Sequence, residues 1–145
     1  DSCRIEKAYR HFGHDITDED HIVDAGLSFT ADLSKKNFEG KESILTKRKI
    51  GSSKKMLQFK LNDPSKMIYH NEPVLRDNKI VGYLTSGNFG HTLGGCIGLG
   101  YVDSKNLSNE EILSSDYSID VAGEIVTAEA SLKPMYDPKS ERVRM

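Results

Sequence analysis

Apolar positions follow two different periods along this chain. Near the N-terminus Ile5, Ala8, Tyr9 and Phe12 recur at the three- and four-residue spacing of one helical face, and Glu6 stands i,i+4 from Arg10, a spacing for an ion pair. The pattern predicts an amphipathic helix that Gly13 stops, since glycine takes the left-handed conformation of a helix end at little cost. Such a stripe needs a covering surface, supplied either by the rest of this chain or by a longer chain from which it is cut. Residues 14–26 are polar with one apolar insert and read as a loop. Residues 27–33 alternate well enough to predict a strand. Gly40 and KESILTKRK predict a second helix of about ten residues, closed by Gly51 and a Ser52-Ser53 linker.

From Lys55 onward the period shortens to two. MLQFKL, PVL, KIVGYLTSG, CIGLGYV, YSIDV and EIVTAEASL predict short strands separated by turn signals, of which Asp77-Asn78 is the sharpest and Gly123 the next. SNEEIL alone looks helical there, with Ser108 as N-cap and Glu111 completing a capping box. The fold class is therefore α+β to about residue 52, followed by a small antiparallel barrel or sandwich.

Composition narrows this picture little. The chain has 145 residues, a net charge of −2 and 37% hydrophobic residues, as expected of one or at most two small globular domains. The basic run at residues 47–49, with Lys54 and Lys55, is short and reads as a solvated helix end, so no nucleic-acid partner is expected. No apolar run approaches the roughly 18 residues of a membrane span, and no membrane partner is expected either. Cys3 and Cys96 lie far apart without metal or disulfide spacing, which makes a reducing compartment the default.

Seven glycines between residues 82 and 102 suggest a phosphate loop, but the chemistry is missing. No glycine precedes Lys and then Ser or Thr, as a P-loop requires. The order of Gly94, Gly95, Gly98 and Gly100 is not GxGxxG, and they lead into a β-type run rather than a helix. These glycines fit the turns and close contacts of a curved sheet. His11, His14 and His21 among Asp15, Asp18, Asp20 and Asp24 lack the spacing of a calcium loop and read as a polar loop. Neither a nucleophile elbow nor a Cys-His arrangement is present. On the first helix, Glu6, Tyr9 and Phe12 are open to two readings. They form a core stripe with an ion pair, or they offer a carboxylate and aromatic faces to a flat, polar-edged ring such as a pterin.

In order along the chain, RIEKAYRHFGHDI, DAGLSF, NFEGKESI, GYLTSGNFGHTLGGCIGLGYV and LKPMYDPKSERVR resemble the last third of the folate-dependent aminomethyltransferase family, which includes the T-protein of the glycine cleavage system. EKAYRHFG and PMYDPKSER look closest to the folate domain that follows an FAD-containing module in dimethylglycine and sarcosine dehydrogenases. The resemblance implies the end of a central α+β domain, as helix, strand and helix over residues 1–52, and a C-terminal β-barrel domain over residues 53–145. It implies tetrahydrofolate as a ligand of the parent protein, FAD in a preceding part, and that preceding part as a partner, and it leaves room for a homo-oligomer. It places the parent in the bacterial cytoplasm or the mitochondrial matrix. No catalytic residue of the family falls within this chain, so the chain alone is expected to be inactive. Tyr9 matches a folate-contacting tyrosine, Glu6 belongs to the same R-x-E pattern, and Arg142 stands for a terminal folate-directed residue. Phe12 replaces a frequent tyrosine.

Overall fold

The computed structural model of the chain describes residues 1–142 and 144. Six antiparallel strands, β1 Lys54–Leu61, β2 Pro73–Arg76, β3 Lys79–Gly90, β4 Gly95–Asp103, β5 Tyr117–Val121 and β6 Glu124–Ser131, close into a barrel in the order β1-β4-β3-β2-β5-β6. Every strand predicted from Lys55 onward is present. Asp77 and Asn78, both at positive φ, turn β2 into β3, and Ala122 with Gly123 does the same between β5 and β6. Two successive positive φ angles match the right-handed twist of the paired strands. The capping box at Ser108 opens a short helix, α3 Asn109–Ser114, between β4 and β5.

Inward alternation fills the barrel. Leu57, Phe59 and Leu61 of β1 meet Val74, Leu84, Val102, Ile119 and Val126 from the other strands, with Ile68 and Ile112 closing the ends. Glycine leaves room for this core: a Cβ at Gly98 would stand 2.9 Å from the Leu84 side chain. Outward positions of β1 and β4 are buried too, because Met56, Ile97 and Leu99 pack against Ile5 and Ala8 of the N-terminal segment. Burial on both faces explains the nearly unbroken apolar run of β4, by the same logic that governs doubly covered strands elsewhere.

Outside the barrel the structure departs from the sequence expectations. The first helix, α1 Ser2–Glu6, ends seven residues before Gly13. Ala8 adopts a left-handed φ of 52°, while the Tyr9 amide bonds back to the Arg4 carbonyl. That conformation normally disfavours residues other than glycine, asparagine and aspartate. Here the Ala8 methyl is buried on the barrel and Arg10 donates from Nη1 to the Ala8 carbonyl, so packing overrides propensity. Consequently Ile5 and Ala8 are buried, whereas Tyr9 and Phe12 are 52% and 68% exposed. The covering surface for half of the predicted stripe is the chain's own barrel. The ion pair expected between Glu6 and Arg10 does not form.

The strand expected at residues 27–33 is a single 3-10 turn, Ser28–Thr30. Thr30 bonds through both its amide and its hydroxyl to the Leu27 carbonyl. A closed barrel offers no free edge, since β1 is already paired with β4 and β6, so an extended segment here has nothing to join. The second helix, α2 Lys41–Ile50, matches the expectation and ends at Gly51. Beyond β6, residues 132–142 run back across the N-terminal segment, where the Met135 amide donates to Gln58 Oε1 on β1.

Candidate functional site

Between the N-terminal segment and the returning C-terminal residues lies a groove of about 660 Å³. Tyr9, Ile16, Leu27 and Phe29 line one side, and Leu132, Pro134 and Pro138 the other. Lys133, Lys139 and Arg144 add positive charge to a wall that contains no Asp or Glu among the described residues. An apolar trough bordered by cations suits a flat ring system that carries carboxylates.

Two polar networks set the shape of this groove. In the first, Asp15 is buried and accepts from Arg4 Nη1 at 2.7 Å, the His11 amide at 2.8 Å, Ser86 Oγ at 2.7 Å and Thr85 Oγ1. Both hydroxyls reach one carboxylate because β3 bulges between Leu84 and Ser86, which re-aims neighbouring side chains. Arg4 Nη1 also donates to the Tyr9 carbonyl, so the network fixes the backbone of Tyr9 directly. In the second, Lys7 Nζ pairs with Asp137 Oδ2 at 2.8 Å and bonds the Asp137 carbonyl, pinning the C-terminal segment as the opposite wall. Hydrogen bonding from Lys7 holds the Asp137 carboxyl below the usual carboxylate range, with the Glu141 and Arg142 amides adding to it.

The structure separates the residues singled out from the sequence. Tyr9 faces the groove with a half-exposed ring. Glu6 faces the β3–β4 hairpin instead. Its Oε1 accepts from the amides of Thr92 and Leu93 at 2.7 and 2.9 Å, and its Oε2 accepts from Thr92 Oγ1 at 3.1 Å. The glycine-rich hairpin does cradle an anion, but the anion is the chain's own carboxylate. Gly90 admits that contact, because a Cβ there would lie 3.0 Å from Glu6 Oε1. Arg142 is exposed and lies over the Tyr136 ring, 5.9 Å from its centroid, with Nη1 donating to the Tyr136 hydroxyl at 3.3 Å. It is not among the residues that line the groove.

Several groove residues escaped the sequence reading. Phe29, 81% exposed, had been assigned to a strand, and Lys133 and Lys139 carry no motif of their own. The sequence spacing assigns Arg10 to an ion pair with Glu6. In the structure its guanidinium lies in the groove floor and donates from Nε to the Ala25 carbonyl at 3.0 Å. Burial lowers the Arg10 pKa, against the opposing influence of Tyr101 and Asp15.

Known proteins resemble this chain along almost its whole length. A 4-methylaminobutanoate oxidase (formaldehyde-forming) from Paenarthrobacter nicotinovorans is 37% identical over 99% of this chain and 17% of its own length. The mitochondrial sarcosine dehydrogenase of Homo sapiens is 32% identical over 99% of the chain and 16% of its own. An aminomethyltransferase from Halothermothrix orenii is 34% identical over 87% of the chain and 35% of its own. This chain thus spans about a sixth of the first two relatives and about a third of the other. The fold matches that of glycine cleavage system aminomethyltransferase T from Bartonella henselae with a TM-score of 0.78 at 22% identity, over 95% of this chain and 38% of that one. Residues 54–137, from the start of β1 to the aspartate that pins the C-terminal wall, match the glycine cleavage T-protein C-terminal barrel domain, and the chain belongs to that family.

Proposed function

We propose that this chain is the C-terminal folate module of a flavoenzyme that oxidises a methylated glycine, such as dimethylglycine or sarcosine, and passes the one-carbon unit to tetrahydrofolate. The observation that carries this reading is the end-to-end match to an oxidase and a dehydrogenase named for N-methylated substrates, which takes in both walls of the groove. The residues present fit the ligand: Tyr9 and Phe29 offer faces to its rings, while Lys133 and Lys139 offer charge to its carboxylates. When bound, tetrahydrofolate supplies the nitrogens that accept the one-carbon unit, and FAD in a preceding part of the parent supplies the oxidation. The chain itself orients the ligand and keeps water from one side of it. We place the parent in the bacterial cytoplasm or the mitochondrial matrix, the latter in keeping with the human relative.

A stand-alone aminomethyltransferase or folate-dependent demethylase is the second reading, supported by the 34% identity to an aminomethyltransferase. The full-length parent separates the two. A flavin absorption spectrum bleached by an N-methylated glycine supports the first reading, and a colourless protein removes it. For the site, Tyr9→Ala in the parent is expected to weaken tetrahydrofolate binding roughly tenfold, about 1.4 kcal/mol for the loss of an aromatic face. Unchanged affinity in a calorimetric titration would remove Tyr9 from the site.

A further inference from the structure

Arg10 is a half-buried cation that lines the groove. Lys7, Lys47, Lys54, Lys66 and Arg4 all pair with carboxylates, but Arg10 does not, among the described residues. Its Nε and Nη1 hold the Ala25 and Ala8 carbonyls, and its Nη2 has no partner among the described residues. The carboxylate nearest in influence, Asp15, already accepts four hydrogen bonds from other donors. The Tyr101 hydroxyl is buried without a partner, and burial, followed by the charge of Asp20, pushes its pKa up, so it stays neutral and is no counter-ion.

The free edge is also kept open by the backbone. Gly26 lines the same groove at a left-handed φ of 69°, and a Cβ there would sit 2.9 Å from Arg10 Nη2. A side chain at residue 26 would therefore be strained and would crowd that edge. A half-buried, planar guanidinium with one side vacant is poised for a charge-assisted hydrogen bond, and such bonds are stronger than those at an exposed rim. Lys133 and Lys139 carry the same charge, but both are exposed and water screens it.

We propose that Arg10 Nη2 is the anion anchor of the groove and takes a carboxylate of a ligand whose aromatic ring lies against Tyr9 and Phe29. The proposal rests on the folate reading for the identity of that ligand, and on the groove geometry for its class. The probes are the two halves of tetrahydrofolate, titrated calorimetrically into the full-length parent: p-aminobenzoylglutamate, which has carboxylates, and 6-methyltetrahydropterin, which has none. Arg10→Met is expected to weaken p-aminobenzoylglutamate about tenfold or more and to leave the pterin unchanged, with Arg10→Lys recovering part of the loss. In the unsubstituted protein, p-aminobenzoylglutamate and not the pterin should shift and slow the Arg10 Nη resonances in nitrogen-detected spectra. If tetrahydrofolate binds while Arg10→Met and the resonances show no difference, the anchor is wrong and the folate reading stands. If tetrahydrofolate fails to bind but p-aminobenzoylglutamate binds through Arg10, the folate reading is wrong and the anchor stands. Equal loss of both probes in Arg10→Met, or no binding of either to the unsubstituted protein, overturns the anchor.

Discussion

Inside the barrel Phe59, Ile68 and Ile119 are wholly withdrawn from water, and contact with other apolar groups is their main interaction. In the segments that wrap it, buried Glu6, Lys7 and Asp15 are each matched to named donors or acceptors, and Asp24 pairs with Lys47 through one of its two oxygens. Apolar burial is non-directional and tolerates repacking, whereas a buried charge is costly unless every partner stays in place. The barrel can therefore act as a scaffold, and the wrap, whose geometry is set by a few directional contacts, forms the groove. Binding surfaces built from irregular segments on a rigid sheet follow this division of labour.

The sharpest way to break the comparison is to strike the part both regions share. Phe59→Ala removes a ring at the barrel centre, from a strand whose outer face carries the N-terminal segment through Met56 and Gln58. A loss of about 3–5 kcal/mol is expected, with barrel and wrap unfolding in one transition. Chemical denaturation followed by both far-ultraviolet dichroism and tyrosine fluorescence checks this. Two separated transitions would mean that the wrap is stable without the scaffold.

A cut at Asp15 should affect the wrap alone. Asp15→Ala deprives Arg4, the His11 amide and two hydroxyls of their common acceptor, and breaking such a buried pair costs about 3 kcal/mol. The expected result is faster hydrogen exchange at residues 9–16 and weaker ligand binding in the groove, with protection of β1, β5 and β6 unchanged. Equal loss of protection in those strands would dissolve the distinction between scaffold and wrap.

The two regions also differ in how readily the sequence reveals them. A two-residue period is enforced by the pleat itself, and Asp77-Asn78 or Ser108 with Glu111 act through their own backbone, so strands, hairpins and the capped helix could be read locally. The wrap is decided by distant partners. Arg10 clamps the Ala8 carbonyl while its Nε is held by Ala25, 15 positions on, and Glu6 is claimed by amides 86 and 87 positions away. Tyr9, which lines the groove, stands out in the helical stripe and in the family resemblance, whereas Phe29 does not, because its alternating neighbours suggest a strand that a closed barrel cannot accept. The glycine-rich stretch is legible as strand, turn and strand, although its capture of Glu6 needs the fold.

The smallest of these effects isolates one wall of the groove. Asp137 has its pKa lowered in the folded protein, first by hydrogen bonding from Lys7, so the native state binds fewer protons there than the unfolded chain. Its contribution is then fully present above the unfolded carboxylate value of about 3.9 and disappears as pH falls through the lower folded value. Between neutral pH and about pH 5 the C-terminal wall should stay put. Under more acid conditions the amides of Met135 and Glu141, which bond Gln58 and Asp137, should lose exchange protection before the strands do. In Lys7→Met the chief cause of the depressed pKa is gone, so the same loss should start at higher pH. If the wall loosens at one pH with and without Lys7, the ion pair is not what pins it. The groove would then owe its closed side to Met135 and Gln58, and the wrap would depend less on charge than its buried residues imply.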